Sequence, residues 1–247
     1  MAKAYKARAV VLSQTKLGET DTIITMLSEE GGQIRAVAKG LRKPGNRIGG
    51  RLEPFSVVDV LLHPGRSLDV VGEVSCEASN AACREGLLKP ASSSVVAEFL
   101  DKLTRDGASV GSRVFELTAA TYGSIASSDE SRAALLAAAH LVKAMAMQGL
   151  RPATRECALC GKPLAGPARF DVEAGGCLCG ECAARSGGSA VSPDVVGWVE
   201  TLLGSTLGEL SRIDGAPTFQ LLEFAELWMR EHLSLYLKSF TFLKQLL

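Results

Sequence analysis

Over the first 79 positions, apolar and polar residues tend to alternate with the period of two that sends successive side chains to opposite faces of a strand. Ala7 to Leu12 is a short apolar run containing the β-branched Val10 and Val11. Thr20 to Leu27 holds Thr22, Ile23, Ile24 and Thr25, a composition that favours a pleated strand. Gly31-Gly32 marks a turn, and Gln33 to Leu41 then sets Ile34, Ala36 and Ala38 against Arg35, Val37 and Lys39. Phe55 to Leu62 is rich in Val and Leu and is closed by His63-Pro64-Gly65; Leu68 to Cys76 alternates again. Five short strands in so little chain remove their edges best by closing on themselves. The pattern predicts a five-stranded OB-type barrel over residues 1–79.

From about residue 80 the period changes to that of a helix, and residues 80–247 are expected to form an all-α domain, giving an α+β multidomain chain. Val95, Val96, Phe99, Leu100 and Leu103 lie on one helical face, and Val114, Leu117, Ala120 and Tyr122 suggest a second helix. Ala133 to Gln148 is a third, with Gly149 suited to its C-terminal end. A Gly/Pro/Cys-rich insert follows at about 151–189. Ser192-Pro193 then reads as an N-cap with a first-turn proline, opening a helix through Val196, Val199, Leu202 and Leu203. Pro217 opens one long final helix carrying Phe219, Phe224, Trp228, Tyr236, Phe240 and Phe242, expected mainly as core.

The chain has 247 residues, 47% of them hydrophobic, which is enough for a buried core and argues against disorder. No apolar stretch is long enough for a membrane span: Leu135 to Met147 is broken by His140 and Lys143. The N-terminus lacks a long apolar region and a cleavage site, so the protein is expected in the cytoplasm. The 27 basic and 27 acidic residues cancel, so only the local distribution of charge can point to a partner.

Seven cysteines, an odd number with no secretion signal, argue against a disulfide framework. Cys157-Ala158-Leu159-Cys160 and Cys179-Gly180-Glu181-Cys182 are two C-x-x-C pairs with 18 residues between them. Each such turn aims two thiolates at one point, and two turns complete a tetrahedron of soft ligands, which predicts one structural Zn2+. Cys177 could replace Cys179 through C-x4-C spacing to Cys182. Cys76, Cys83 and otherwise Cys177 read as buried or idle thiols.

No acid occurs between Glu30 and Glu53, a window that holds Arg35, Lys39, Arg42, Lys43, Arg47 and Arg51. With Pro44-Gly45-Asn46 and Gly49-Gly50 this reads as a flexible basic loop able to neutralise DNA phosphates and release counterions. Only Tyr5 and Phe55 are aromatic in the first 80 residues, so stacking platforms are scarce and backbone contact without sequence readout is expected. Walker A, dinucleotide-glycine and nucleophile-elbow motifs are absent, and His63, His140 and His232 are isolated. No enzyme activity is therefore expected. Glu19 and Asp21 near a strand end are the weak basis for a nuclease reading. A zinc-stabilised RNA-binding or transcription module is the stronger alternative to a DNA-binding protein.

Several segments together resemble the bacterial recombination mediator family RecO. They are Gly18-Glu19-Thr20-Asp21, Gly31-Gly32, Val37 to Lys43, and Leu52-Glu53-Pro54-Phe55, followed by Gly149-Leu150-Arg151-Pro152, Cys157 to Gly161, and Phe170 through Cys182. Their order and spacing hold over nearly the whole chain. The resemblance implies an OB-fold and a helical domain bearing a zinc module. It implies binding of single- and double-stranded DNA, annealing of complementary strands, and nucleoid association. It further implies work with RecR in loading RecA onto DNA coated by single-stranded DNA-binding protein, whose acidic, apolar tail some members take in a helical groove. Lys39, Arg42, Lys43, Arg47 and Arg51 are the DNA contacts carried over by position; Arg35 joins them on charge. Val95-Val96-Ala97 stand where many relatives have an aromatic, so no residue here is assigned to the tail groove.

Overall fold

The computed structural model describes residues 3–46, 48–164, 169–186 and 190–247. β1 (Tyr5–Leu17), β2 (Asp21–Ser28), β3 (Gln33–Ala38), β4 (Val57–His63) and β5 (Asp69–Ala78) form a closed barrel in the order β1-β2-β3-β5-β4. All neighbours are antiparallel except β3 and β5, which meet in parallel at Ala36–Asp69 and Val37–Val70. Closure depends on the length of β1, 13 residues against the six expected from its apolar run. Its first half pairs with β4 and its second half with β2, and a bulge between Val11 and Ser13 bends it between the two. The polar stretch Thr15–Lys16 is strand because the ladder to Ile23 and Thr22 holds it, a cause invisible to hydrophobic patterning.

The barrel interior is filled by Ala9, Val11, Ile24, Met26, Ala36, Ala38, Val58, Val60 and Leu62. The basic segment between β3 and β4 contributes as well: Leu41 and Leu52 are buried in this same cluster, with Ile48 packed against it. The described residues of the segment are therefore packed into the barrel, more so than its Gly and Pro content suggested.

Outward-facing Val10, Leu12, Leu27, Phe55 and Val57 belong to a second core shared with the helices. Phe55 holds a left-handed backbone, φ 74°, unusual for a residue with a bulky side chain. Its ring packs on Tyr122 at 5.1 Å, its carbonyl accepts from Asn80 Nδ2 at 2.8 Å, and its own N–H donates to Val11 O at 2.8 Å, so contacts from the barrel and from beyond it fix it. Gly31 is needed where the barrel meets the second helix: a Cβ there would lie 2.2 Å from the Gly111 nitrogen. Arg8 adds a polar clamp. It pairs with Glu77 through two bonds of 2.7 and 2.9 Å and with Glu29, reaches Glu116 of that helix at 3.0 Å, and lies over the Phe115 ring.

The helical part opens with α1 (Leu88–Leu103), α2 (Ser112–Ser127) and α3 (Ala133–Met147). α3 is the central helix; its alanines let neighbours approach closely, and it is buried from Ala133 to Val142 and at Ala144 and Met145. His140 is among these core residues, with its Nδ1 3.1 Å from Thr121 Oγ1. Gly149 takes φ 86° just past the helix end, as its position suggested. The insert contains β6 (Arg169–Asp171), β7 (Gly176–Leu178) and α4 (Gly180–Ala183); β8 (Ala190–Val191), just past it, pairs with β6, which is central in a small sheet. α5 (Pro193–Gly204) begins as its sequence predicts, Ser192 Oγ accepting from Val195 N. α6 (Leu207–Leu210) follows. No helix of the described residues is long and apolar enough to cross a membrane.

The single final helix expected after Pro217 is instead two: α7 (Thr218–Leu233) and α8 (Lys238–Gln245). Ser234 turns left-handed at φ 53° and ends α7. The start of α8 is held by a residue far away in sequence. Glu98 of α1 accepts from the main-chain N–H of Lys238 at 3.0 Å and of Ser239 at 2.9 Å, capping α8 from outside. Phe224, Trp228 and Phe240 enter the core, whereas Phe219, Tyr236 and Phe242 remain exposed.

These bonds hold the Glu98 carboxyl down at about 2 despite partial burial, which alone would raise it. A depressed carboxyl stabilises the fold above its ordinary value of 4.5, and that contribution disappears as pH falls toward 2. Glu98→Gln is expected to lower urea stability at pH 7, with the gap to wild type closing between about pH 4.5 and 2; urea melts across pH check this. A gap independent of pH would remove the carboxylate from the account.

Candidate metal centre and nucleic-acid interface

The sulfurs of Cys157, Cys160, Cys179 and Cys182 all lie within 4.8 Å of one another. The Cys160 and Cys179 sulfurs are 3.7 Å apart, close to the edge of about 3.8 Å expected for a tetrahedron with metal–sulfur bonds of about 2.3 Å. Local main-chain bonds build each turn: Gly161 N donates to Cys157 O, and Ala183 N to Cys179 O, both at 2.8 Å. Cys177 stands apart. It lies in β7 opposite Phe170, and its side chain is buried in the large helical core, where desolvation pushes its thiol up. The quartet is thus the arrangement that could hold a metal, and Cys177 is a packing residue.

The thiols of the quartet act on one another and on their neighbours. N–H groups, first that of Cys179, hold the Cys157 thiol down at about 6, while the Cys182 thiol, bonded to Cys179, is pushed up to about 12. Lys162 pairs with Glu181 at 3.0 Å, and its ammonium is raised by that bond and then by the neighbouring thiols. Arg185 Nη2 is 3.9 Å from Cys182 Sγ. These two cations can offset the excess negative charge of a tetrathiolate, as outer partners of metal sites do. Sequence reading passed over both, although each stands within three residues of a ligand.

The insert is seated by packing. Phe170 of β6 lies 5.6 Å from Phe224 and 5.8 Å from Trp228 of α7, and Trp228 Nε1 donates to Leu150 O at 3.0 Å. Gly176 is pressed against Ala153, whose oxygen would meet an added Cβ at 2.2 Å.

The six basic candidates have different surroundings. Arg35 is exposed on β3, opposite Thr25. Lys39 and Lys43 are exposed and line one cleft, and no hydrogen-bond partner of their ammonium groups is found among the described residues. Arg42 donates from its guanidinium to Gly18 O, and Arg51 Nη1 donates to Val74 O at 2.8 Å. Arg47 lies outside the described residues. Lys16, which the acid-free window did not include, is exposed at the same end of the barrel, in register with Thr22 and through it with Ala38. Strand register, not local charge, reveals it. Of the two acids in the β1–β2 turn, Asp21 is tied to the basic segment: its Oδ1 accepts from Gly40 N at 2.7 Å and from Thr20 Oγ1 at 3.1 Å. Among the described residues the cysteine quartet is the one group of three or more potential ligands close enough for a metal.

A closed OB-type barrel with a basic end, joined to a helical domain carrying a four-cysteine knuckle, defines a class of nucleic-acid-handling proteins. The family model described as recombination protein O N terminal matches residues 1–80, and that described as recombination protein O C terminal matches residues 84–240. The chain belongs to the recombination protein O family, and its role is that of a DNA repair and recombination mediator.

Because Cys177 packs in the core and Cys160 belongs to the quartet, the two should separate experimentally. Cys160→Ala is expected to lose most bound metal, whereas Cys177→Ala keeps a full complement; elemental analysis after dialysis checks this. Equal loss in both variants would mean that the quartet is drawn wrongly.

Proposed function

We propose that this protein holds the phosphates of single- and double-stranded DNA at the basic end of its barrel, without sequence preference. Lys39 and Lys43 carry the reading: both are exposed, beside one cleft, and unpaired among the described residues. Arg35 extends the track along β3. Arg42 and Arg51 shape the segment and keep donors for phosphate, because one bond uses only part of a guanidinium's five N–H groups. Arg47 is assigned to the same track on its place in the sequence. Charge elsewhere on the barrel supports this polarity, since Glu29, Glu30, Asp59 and Glu73 line a groove of 660 Å³ that disfavours phosphate.

The metal we assign to the quartet is one Zn2+, whose contribution is structural: four thiolates close its coordination sphere and tie the insert into one unit. Residues 1–79 are the proposed DNA-holding unit. Residues 80–247, with the insert at about 151–189, are the proposed unit for protein partners. As a family member the protein anneals complementary strands and, with RecR, helps load RecA onto DNA coated by single-stranded DNA-binding protein. The tail of that coating protein is a further proposed ligand of the helical unit. The work takes place in the bacterial cytoplasm, on the nucleoid, and involves no covalent step.

The test is DNA binding across a salt series with Lys39→Ala/Lys43→Ala. Loss of two phosphate contacts is expected to weaken binding on all sequences and to reduce the log–log salt slope by about 2. An unchanged affinity and slope would take the DNA off this end of the barrel.

A further inference from the structure

The Gly18-Glu19-Thr20-Asp21 turn is bonded to the basic segment at three points. Gly40 N donates to Asp21 Oδ1 at 2.7 Å, Arg42 N donates to Thr20 O at 3.0 Å, and the Arg42 guanidinium donates to Gly18 O. Beyond this zipper the segment folds back on itself. Lys43 N donates to Gly40 O at 3.0 Å, and Asn46 Nδ2 donates to the same oxygen at 2.8 Å. Asn46 Oδ1 accepts from Ile48 N at 2.8 Å and Gly49 N at 3.1 Å. The outcome is a cleft of 500 Å³ whose walls include Asp21, Lys39, Gly40, Lys43 and Asn46.

Gly40 is the pivot. It has φ 62°, and the Lys43 stem crosses it so closely that an added Cβ would lie 3.3 Å from Lys43 Cδ. Fixing Gly40 therefore fixes the turn that sends Lys39 and Lys43 to one cleft. A carboxylate beside a phosphate is electrostatically unfavourable, so Asp21 needs a purpose there that outweighs the repulsion. Its bond to Gly40 N–H holds it there, helped by the Thr20 hydroxyl and the nearby Lys39 and Lys43 cations.

We propose that Asp21 is a positioning residue: by pinning Gly40 it makes Lys39 and Lys43 converge on a single backbone phosphodiester, with Asn46 closing the turn beneath it. The inference rests on the reading that this end of the barrel holds DNA, and it gives the acidic turn a role in that binding that needs no catalysis.

Two neutral replacements separate the bond from the charge. Asp21→Asn keeps an oxygen acceptor for Gly40 N–H; Asp21→Ala has none. Binding of a fluorescein-labelled oligothymidylate is measured for both, with Lys39→Ala/Lys43→Ala as reference. Asp21→Asn is expected to bind as tightly as wild type or more tightly. Asp21→Ala is expected to bind about fivefold more weakly than Asp21→Asn, the scale of one lost hydrogen bond, and its Gly40 amide to exchange faster. Gly40→Ala retains the carboxylate but strains the left-handed turn, and should weaken binding in the same way should Asp21→Ala fold poorly. If the two neutral variants bind equally and Gly40→Ala binds as wild type, while the double lysine variant still loses affinity, the positioning role is overturned and the DNA site stands. If the double lysine variant also binds normally, both fall.

Discussion

The apolar seam between barrel and helices is the constraint on which the other features depend. A closed barrel satisfies its strand edges and fills its interior, but β1, β2 and β4 still present Val10, Leu12, Leu27 and Val57 outward. Covering such a surface contributes about 25 cal/mol per Å² removed from water, and the helices provide the cover. Phe55 against Tyr122, the close approach of Gly31 to Gly111, and the Arg8–Glu116 bond hold the two parts in one orientation. That orientation uses one side of the barrel for packing and leaves the end bearing Lys16, Lys39 and Lys43 exposed.

Charge follows the same geometry. Asp21 opens β2 beside the basic cleft, and Glu29 follows its other end, where the acidic groove around Lys6 and Arg8 begins. A net charge of zero therefore conceals opposite signs at the two ends of one strand. Such a field orients a polyanion as well as attracting it, and salt weakens both effects. The helical domain and its cysteine quartet meet this field at Glu116, which bonds to Arg8, but contribute mainly otherwise. Their contribution is a rigid body, with α3 buried at its centre and the insert locked through Phe170 on Phe224 and Trp228.

Much of this was legible in the sequence because its causes are local. Alternation placed the five strands, spacing found the four thiols, and an N-cap with a following proline marked α5. The features that escaped have distant causes. The length of β1 comes from partners on both sides, and the cap that starts α8 comes from Glu98, 140 residues before Lys238. Spacing left Cys177 and Cys179 as rivals, and the β6–β7 pairing removes Cys177 to the core. The basic segment looked flexible because its glycines and prolines were in view, whereas its anchors, buried Leu41 and Leu52 and the bond from Gly40 to Asp21, are tertiary. Six cations clustered in sequence likewise have unequal surroundings: Arg42 and Arg51 bind main-chain oxygens, and Lys39 and Lys43 do not.

The measurement that bears most directly on the central claim is a hydrogen-exchange footprint of the full chain with and without an oligothymidylate. On binding, slowed exchange is expected over the Lys16–Asp21 turn and the Lys39–Asn46 segment, with the Glu29–Glu30 and Asp59–Leu61 groove unchanged. Protection confined to the helical domain, or centred on the acidic groove, would contradict the account.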